Sequence, residues 1–313
     1  MKFEYGVNTD ILLVGTGALA TLFAARLTAS GQRVTLLGTW KDGIDALCQD
    51  GARLVGADGF EQNYAVYATD NPAECRGAKY AIVLVKSWQT ERAAHQLTEC
   101  LAEDGLAITL QNGIGNREIL AAQLGEKRVA LGTTTTGATL LGPGLVKAGG
   151  EGIISTEAHP ASGPVEEALR LAKFNVEIVE DARSLVWGKL VINAAINPLT
   201  ALLRVPNGEL LDRPAARILM CALAEEAAAV ASAEKVKLPF SDPAAAAEDV
   251  ARKTAANHSS MLQDVTRGAP TEIDAICGAV TRAGKQHHIP TPVNEACWQL
   301  VQAMVPISGN NSQ

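Results

Sequence analysis

Along the first part of the chain, short apolar runs alternate with helical patterns, and near residue 182 that rhythm stops. "ILLVGTGALATLFAARLTASGQRVTLLG" passes from an apolar run through glycines into a helical pattern and on to a second β-rich run. Gly31 stops the helix before Val34–Leu37, so the segment reads as a βαβ unit. "YAIVLVK" and "LAITLQNG" have the texture of buried parallel strands, and residues 88–101 between them predict a crossover helix. Residues 51–68 carry a turn-like centre, "GADG", and predict an inserted hairpin. From Val129 onward "VALGTTTTGATLL", "LVKAG" and "GIIST" are short β-like pieces separated by glycine. A helix at about 163–173 and a strand "NVEIVE" then close this region near Asp181.

Residues 183–305 are instead rich in Ala and Leu at helical spacing, with few β-branched runs. The pattern predicts an N-terminal Rossmann-type α/β domain over residues 1–182 and an all-helical C-terminal domain over 183–313, ending in a frayed "PISGNNSQ" tail. No internal repeat is present.

The first helix of the second region, "WGKLVINAAINPLTALL", is apolar except where Lys189, Asn193 and Asn197 recur four residues apart. Steps of four turn a helix by about 400°, so the three polar side chains form a row on one face. Leu190, Val191, Ile192, Ala194, Ala195 and Ile196 cover most of the remaining circumference. A buried ammonium is costly, so the row should face something polar. Either it lines a ligand site, or Lys189 snorkels to solvent while the asparagines cap neighbouring helices.

Composition narrows what that ligand can be. With 313 residues, 47% hydrophobic and 19% charged, the chain has enough apolar material for two cores. A net charge of −7 and the lack of any Lys/Arg run exclude a dedicated nucleic-acid binder. The first ten residues are polar and only about five strongly apolar residues follow, so no signal-peptide core is expected. Nor does any stretch read as the roughly 20 apolar residues of a membrane span. Cys48, Cys75, Cys100, Cys221, Cys277 and Cys297 contain no close C-x-x-C pair. That spacing predicts reduced, mostly buried thiols in a cytoplasmic chain, without a metal site.

Gly15, Gly17 and Ala20 form G-x-G-x-x-A between the first predicted strand and helix, with Ala18 in the same loop. The first glycine permits the tight turn, the second leaves room for a pyrophosphate, and the alanine lets helix and strand pack closely, so the loop predicts dinucleotide binding. A purely structural glycine turn is the alternative. At the end of the second strand an NAD-binding chain commonly has Asp or Glu, whereas here "LLGTWK" stands and no carboxylate follows until Asp42. Thr39, Trp40 and Lys41 are compatible with a 2′-phosphate, with Lys41 as its cation, which favours NADP; otherwise Lys41 is a solvated loop lysine.

Several segments together, "GTGALA", "VKSWQT", "LQNGIGN", "LGTTTTGA", "WGKLVINAAINPLTALLRVPNGEL" and "NHSSMLQDVTRGAPTEIDAICGAV", resemble the 2-dehydropantoate 2-reductase (ketopantoate reductase) family from residue 15 to about 280. The resemblance implies NADPH-dependent reduction of the 2-dehydropantoate ketone to (R)-pantoate, a step of pantothenate biosynthesis. It makes Lys189 the proton donor and Glu272 the second catalytic residue. Asn193, Asn197, Asn207, Asn257 and Ser260 match positions that hold the substrate's hydroxyl and carboxylate, while Lys86 and Asn112 match residues near the nicotinamide and its ribose. The chain departs from the family just after the second strand, where an arginine often grips the 2′-phosphate.

Chemistry supports the same row independently, because hydride addition to a ketone develops negative charge on oxygen and a nearby cationic acid stabilises it and supplies the proton. Desolvation would lower the Lys189 pKa, and a carboxylate such as Glu272 would oppose that shift. Plainer roles stay open for several residues. "APTEIDAI" also reads as a helix start with Thr271 as cap and Glu272 as first-turn acid. Only the resemblance selects Ser260 over Ser259, both of which fit an ordinary helix surface. Asn112, before Gly113, suits a turn. Trp88 suits either the cofactor's vicinity or the core, and His287 and His288 suit a helix end better than a ligand site. The competing functions are a reductase of the same architecture acting on another 2-oxo acid, and an NADP(H)-binding regulatory protein without catalysis. Partners are expected to be a small-molecule acid and, through the apolar helical domain, a second copy of the chain.

Overall fold

The computed structural model describes residues 11–56 and 58–304; the polar first ten residues and the "PISGNNSQ" tail lie outside them. The chain divides into two compact units. One holds Met1–Gln111 with Asn116–Ala182, and the other holds Asn112–Gly115 with Arg183–Gln313.

The first unit is α/β. In chain order it comprises β1 (Ile11–Val14), α1 (Ala18–Ala29), β2 (Val34–Leu37), α2 (Lys41–Asp50), β3 (Ala52–Val55), β4 (Glu61–Tyr64), β5 (Tyr67–Thr69), β6 (Ala78–Val83), α3 (Thr90–Cys100) and β7 (Leu101–Thr109). Then come α4 (Asn116–Leu124), β8 (Val129–Thr134), β9 (Ala138–Gly142), β10 (Leu145–Ala148), β11 (Ile153–Glu157), α5 (Gly163–Leu171) and β12 (Asn175–Val179). Eight strands form one sheet in the order β12-β11-β8-β7-β6-β1-β2-β5. All neighbours are parallel except β8 and β11.

The apolar runs are buried on both faces because helices cover both. Ile11 and Leu13 of β1 pack with Phe23, Ala24 and Leu27 of α1, while Leu12 and Val14 pack with Ala93, Leu97 and Leu120 of α3 and α4. Such two-sided burial is why these strands read as continuous apolar segments and not as alternating ones. The chain leaves β1 toward β2 on one side and returns to β6 on the other. The carboxyl end of β1 is therefore a topological switch point, where open α/β sheets bind their ligands.

The hairpin expected over 51–68 is present as β3 and β4, with Ala57 of its turn outside the described residues. It does not stand alone. β10 pairs in parallel with β3 and antiparallel with β9, giving a second sheet of order β4-β3-β10-β9.

The second unit is helical among its described residues: α6 (Ala182–Leu203), α7 (Pro214–Ala233), α8 (Pro243–Lys253), α9 (Ser260–Thr266), a π turn (Asp274–Gly278), α10 (Ala279–Gln286) and α11 (Pro292–Met304). By length and composition α6 is apolar enough to cross a membrane, contrary to the sequence expectation. Its apolar side chains are taken up by the unit's own core, where Leu190, Val191, Ala194, Ala195 and Leu199 pack with α7 and α10 residues such as Leu223 and Val280. Pro198 lies inside α6. Proline has no N–H for the carbonyl four residues back, that of Ala194, and the Cys277 thiol donates to that oxygen at 3.9 Å. Four of the six cysteines are buried and none is paired.

Candidate active site

In the first unit the glycine loop follows β1 directly. The Gly15 N–H donates to the Leu37 carbonyl at 2.7 Å, and its φ of +132° is one that side chains rarely tolerate. A Cβ there would lie 3.3 Å from the Leu84 and Val85 backbone, so glycine lets the loops after β1 and β6 pass closely. Gly17 is the N-cap of α1, no side chain caps that helix, and its first turn carries no acid. Nothing lies within 4 Å of where a Gly17 Cβ would stand. Uncapped N–H groups at Ala18 and beyond, facing an open cradle, suit a pyrophosphate. Ala20, one turn on, is 1% exposed against the sheet.

The alternative reading of Lys41 as a loop lysine does not hold, because Lys41 opens α2, exposed, with Trp40 as N-cap and Asp42 in the same first turn. The helix is uncapped by any side chain, and Thr39 beside it is exposed. The segment therefore offers one cation and free helix N–H groups to a phosphate, with Asp42 as an opposing charge. Lys86 follows β6, partly buried, and its N–H donates to Gln89 Oε1 at 3.3 Å. Trp88 is 54% exposed, which rules out the core role.

A buried polar network that the sequence reading missed joins the loops after β6 and β7. Gln111 Nε2 donates to the Val85 carbonyl at 3.0 Å and to Thr90 Oγ1 at 2.8 Å, and its Oε1 accepts from Thr109 Oγ1 at 2.9 Å. Thr90 Oγ1 in turn donates to Asn116 Oδ1 at 2.8 Å. Its sequence signal was a long polar side chain immediately after an apolar strand, in "LAITLQNG". The network holds the backbone on either side of it, next to Lys86 and next to Asn112.

In the second unit the predicted row is assembled on α6. Lys189 and Asn193 are partly buried and Asn197 is 6% exposed, amid fully buried apolar neighbours. Burial lowers the Lys189 pKa from 10.5 to about 8, and the negative charge of Glu272 opposes the fall. Lys189 thus has a carboxylate beside it. The asparagines cap no neighbouring helix: no cap among the described residues uses either amide, and neither enters a side-chain hydrogen bond within the described chain. Two amides pointing along one face beside an ammonium have donors and acceptors to offer a ligand.

Glu272 is held by Asn112, whose Nδ2 donates to Glu272 Oε2 at 2.9 Å. Asn112 is indeed a turn residue, because Gly113 follows at φ +82°, and a Cβ on Gly113 would meet the Ala275 carbonyl at 2.5 Å. The helix start predicted at Thr271 takes another form. The Ile273 N–H donates to Thr271 Oγ1 at 3.4 Å, and a π turn follows in place of an α turn, with the Gly278 N–H reaching the Ile273 carbonyl. Single π turns are frequent at functional sites.

A family model described as ketopantoate reductase PanE/ApbA matches residues 11–161, and its C-terminal counterpart matches residues 181–305. The chain belongs to the ketopantoate reductase family. The 2-dehydropantoate 2-reductase of Archaeoglobus fulgidus is 36% identical over 299 residues, covering 94% of this chain and 97% of the relative; that of Halobacterium salinarum is 32% identical with 93% and 97% covered. Among solved structures, a PanE/ApbA family ketopantoate reductase from Ralstonia eutropha has a TM-score of 0.87 at 31% identity, covering 94% of this chain and 98% of that one. D-mandelate dehydrogenase with NADH and anilino(oxo)acetate has a TM-score of 0.88 at 26% identity, covering 94% and 97%. Membership makes this protein an oxidoreductase of CH–OH groups with a nicotinamide cofactor.

The remaining residues that the ketopantoate reductase resemblance selected lie in different settings. Asn207 is buried, with its Nδ2 donating to Thr254 Oγ1 at 2.9 Å and its N–H to the Asn257 carbonyl at 3.0 Å. Asn257 and Ser260 are exposed. Ser259 is no surface serine; it is buried, caps α9 by accepting the Leu262 N–H at 3.0 Å, and shares a 2.7 Å hydrogen bond with Thr200 of α6. That bond ties the start of α9, and with it Ser260, to the helix that carries Lys189.

Proposed function

We propose that this protein reduces 2-dehydropantoate to (R)-pantoate with NADPH, with Lys189 as the proton donor. The observation that carries the reading is an ammonium brought to a pKa of about 8 beside Glu272, in line with two amides unengaged by the rest of the described chain. A group with that pKa is largely protonated at neutral pH yet gives up its proton readily. The nicotinamide, when bound, supplies the hydride to the carbonyl carbon. Lys189 Nζ then faces the oxygen on which charge accumulates, stabilises it and passes its proton to it, and Glu272 keeps the amine charged beforehand. Asn193 and Asn197 hold the substrate's hydroxyl and carboxylate, together with Asn207, Asn257 and Ser260.

Residues 1–182 serve as the NADP-binding domain, through Gly15, Gly17 and Ala18 for the pyrophosphate, Lys41 for the 2′-phosphate and Lys86 for the nicotinamide side. Residues 183–313 serve as the substrate and catalytic domain, to which Asn112 contributes. The family uses NADPH; Thr39 and Lys41 in place of an arginine after β2 make Lys41 the residue on which that preference depends here. The protein works in the cytoplasm on a small acid, without nucleic acid or membrane, as a homodimer. A second reading, the same chemistry on another 2-oxo acid, draws support from the structural match to a D-mandelate dehydrogenase.

The test is NADPH consumption with 2-dehydropantoate, compared across wild type, Lys189→Ala and a panel of other 2-oxo acids. Rapid turnover of 2-dehydropantoate that is lost in Lys189→Ala supports the proposal. Faster turnover of another acid by an order of magnitude selects the second reading, and no turnover of any acid despite NADPH binding overturns both.

A further inference from the structure

The carboxylate that bears on Lys189 stands just before an irregular turn, and that turn is pinned from two sides. In a regular α-helix the Gly278 N–H would reach Asp274; here it reaches the Ile273 carbonyl at 3.1 Å, one residue further back. The extra residue changes how the backbone at Glu272 is aimed, so the shape of the turn matters to the site. On one side Cys277 donates to the Ala194 carbonyl of α6, the helix that carries Lys189. On the other stands Arg282 of α10.

Arg282 gives three hydrogen bonds to a single residue. Nη1 donates to Asp274 Oδ1 at 3.0 Å, and Nη2 donates to Oδ2 at 3.1 Å and to the Asp274 backbone carbonyl at 2.8 Å. The same peptide group continues as the Ala275 N–H, which donates to the Glu272 carbonyl at 3.1 Å. One peptide plane is thus fixed at its oxygen by Arg282 and at its nitrogen by the backbone of Glu272. The guanidinium lies over the Trp298 ring of α11, 5.5 Å from its centroid. Gly278 leaves room for this stack, since a Cβ there would lie 2.9 Å from Trp298 and 3.2 Å from Arg282 Nη1. A planar fork that stacks and bonds at once is what arginine supplies and lysine does not. Arg282 and Asp274 are both about half exposed, and ion pairs at that exposure add little to stability. Orienting the turn is the use that remains.

We propose that Arg282 is a positioning residue for the reduction: by clamping Asp274 it fixes the backbone from which Glu272 reaches Lys189. This deepens the reading in which Lys189 donates the proton.

Among the described residues Glu272 is the charged group that acts on Lys189. The test is therefore the titration midpoint of Lys189 in the free protein, read as the pH dependence of its trace acetylation by mass spectrometry, alongside the pH–rate profile with NADPH and 2-dehydropantoate. The variants are Arg282→Gln, Arg282→Lys, Glu272→Gln and the double variant Arg282→Gln/Glu272→Gln. Loss of a positive charge by itself would raise the midpoint, whereas a displaced Glu272 lowers it. Arg282→Gln is expected to lower the midpoint and the alkaline limb of the profile by roughly half a unit or more, with little change in Tm. Arg282→Lys, which keeps the charge and loses the fork, lowers both by less and serves if the glutamine variant does not fold. In the Glu272→Gln background the same substitution moves neither. An unmoved or raised midpoint in both single Arg282 variants overturns the proposal, and so does an equal shift with Glu272 already removed. A lowered midpoint without turnover of 2-dehydropantoate upholds the clamp and overturns the assigned reaction instead.

Discussion

The side-chain amide of Asn112 donates to the carboxylate of Glu272 at 2.9 Å, across 160 positions of sequence. The residue expected near the cofactor's ribose therefore also fixes the carboxylate that acts on Lys189. A hydrogen bond to a charged group contributes roughly 1.5–3 kcal/mol. Asn112→Ala is accordingly expected to lower kcat/KM by about tenfold to a hundredfold, and Asn112→Asp by more, because it sets a second carboxylate against the first. Steady-state kinetics on the two variants checks the order.

Glu272→Gln removes the charge that, among the described residues, holds the Lys189 pKa up against desolvation. The pKa should then fall below about 8, and the alkaline limb of the pH–rate profile should move to lower pH by roughly one unit or more. An unmoved limb would show that another group governs it.

Lys189 also weakens the fold at neutral pH. Its pKa is lower in the folded state than the ordinary 10.5, so between about pH 8 and 10.5 the unfolded chain binds the extra proton and stability rises with pH across that window. Below it the folded state bears a desolvated charge, and the difference from 10.5 to about 8 corresponds to at most about 3 kcal/mol. Lys189→Met should raise Tm at pH 7, lose turnover by two or more orders of magnitude, and lose its stability advantage above about pH 10.5. Thermal melts at three pH values suffice.

Gly113→Ala should destabilise by roughly 2 kcal/mol or more, since φ is +82° and the added methyl would press on the Ala275 carbonyl. Because Asn112 is adjacent, kcat should fall with it. Calorimetry and turnover on the same sample should show both changes.

Lys41→Ala should raise KM for NADPH about tenfold and leave KM for NADH within a factor of two, if the 2′-phosphate lies against the start of α2. Equal effects on both cofactors would place the phosphate elsewhere.

What the sequence made legible was local. The glycine loop, the β3–β4 hairpin and the polar row on α6 each declare themselves within about twenty residues, through turn chemistry or a fixed period. The pairing of β10 with β3 joins Val146 to Leu54, and no local pattern encodes a partner that distant. Pro198 inside α6 does not interrupt the apolar spacing, which continues across it; Cys277, eighty-three positions from Ala194, is what completes that turn. The π turn at Asp274–Gly278 differs from an α turn by one residue, which a periodic pattern does not resolve. Gln111 sits in a segment that reads only as a buried strand, and its role emerges where its amide donates to Thr90, which in turn donates to Asn116.

The assignment of Asn112–Gly115 to the helical unit has a consequence for modularity. The chain visits that unit once, for four residues, long before it enters it for good at Arg183. A gene fragment beginning at residue 183 would encode every helix from Arg183 onward and still lack the amide that grips Glu272. A fragment ending at 182 would carry those four residues without the Ala275 carbonyl against which Gly113 is shaped. The two halves recognised by separate family models are thus not interchangeable cassettes, and swapping one between relatives would carry along, or leave behind, part of the other's chemistry.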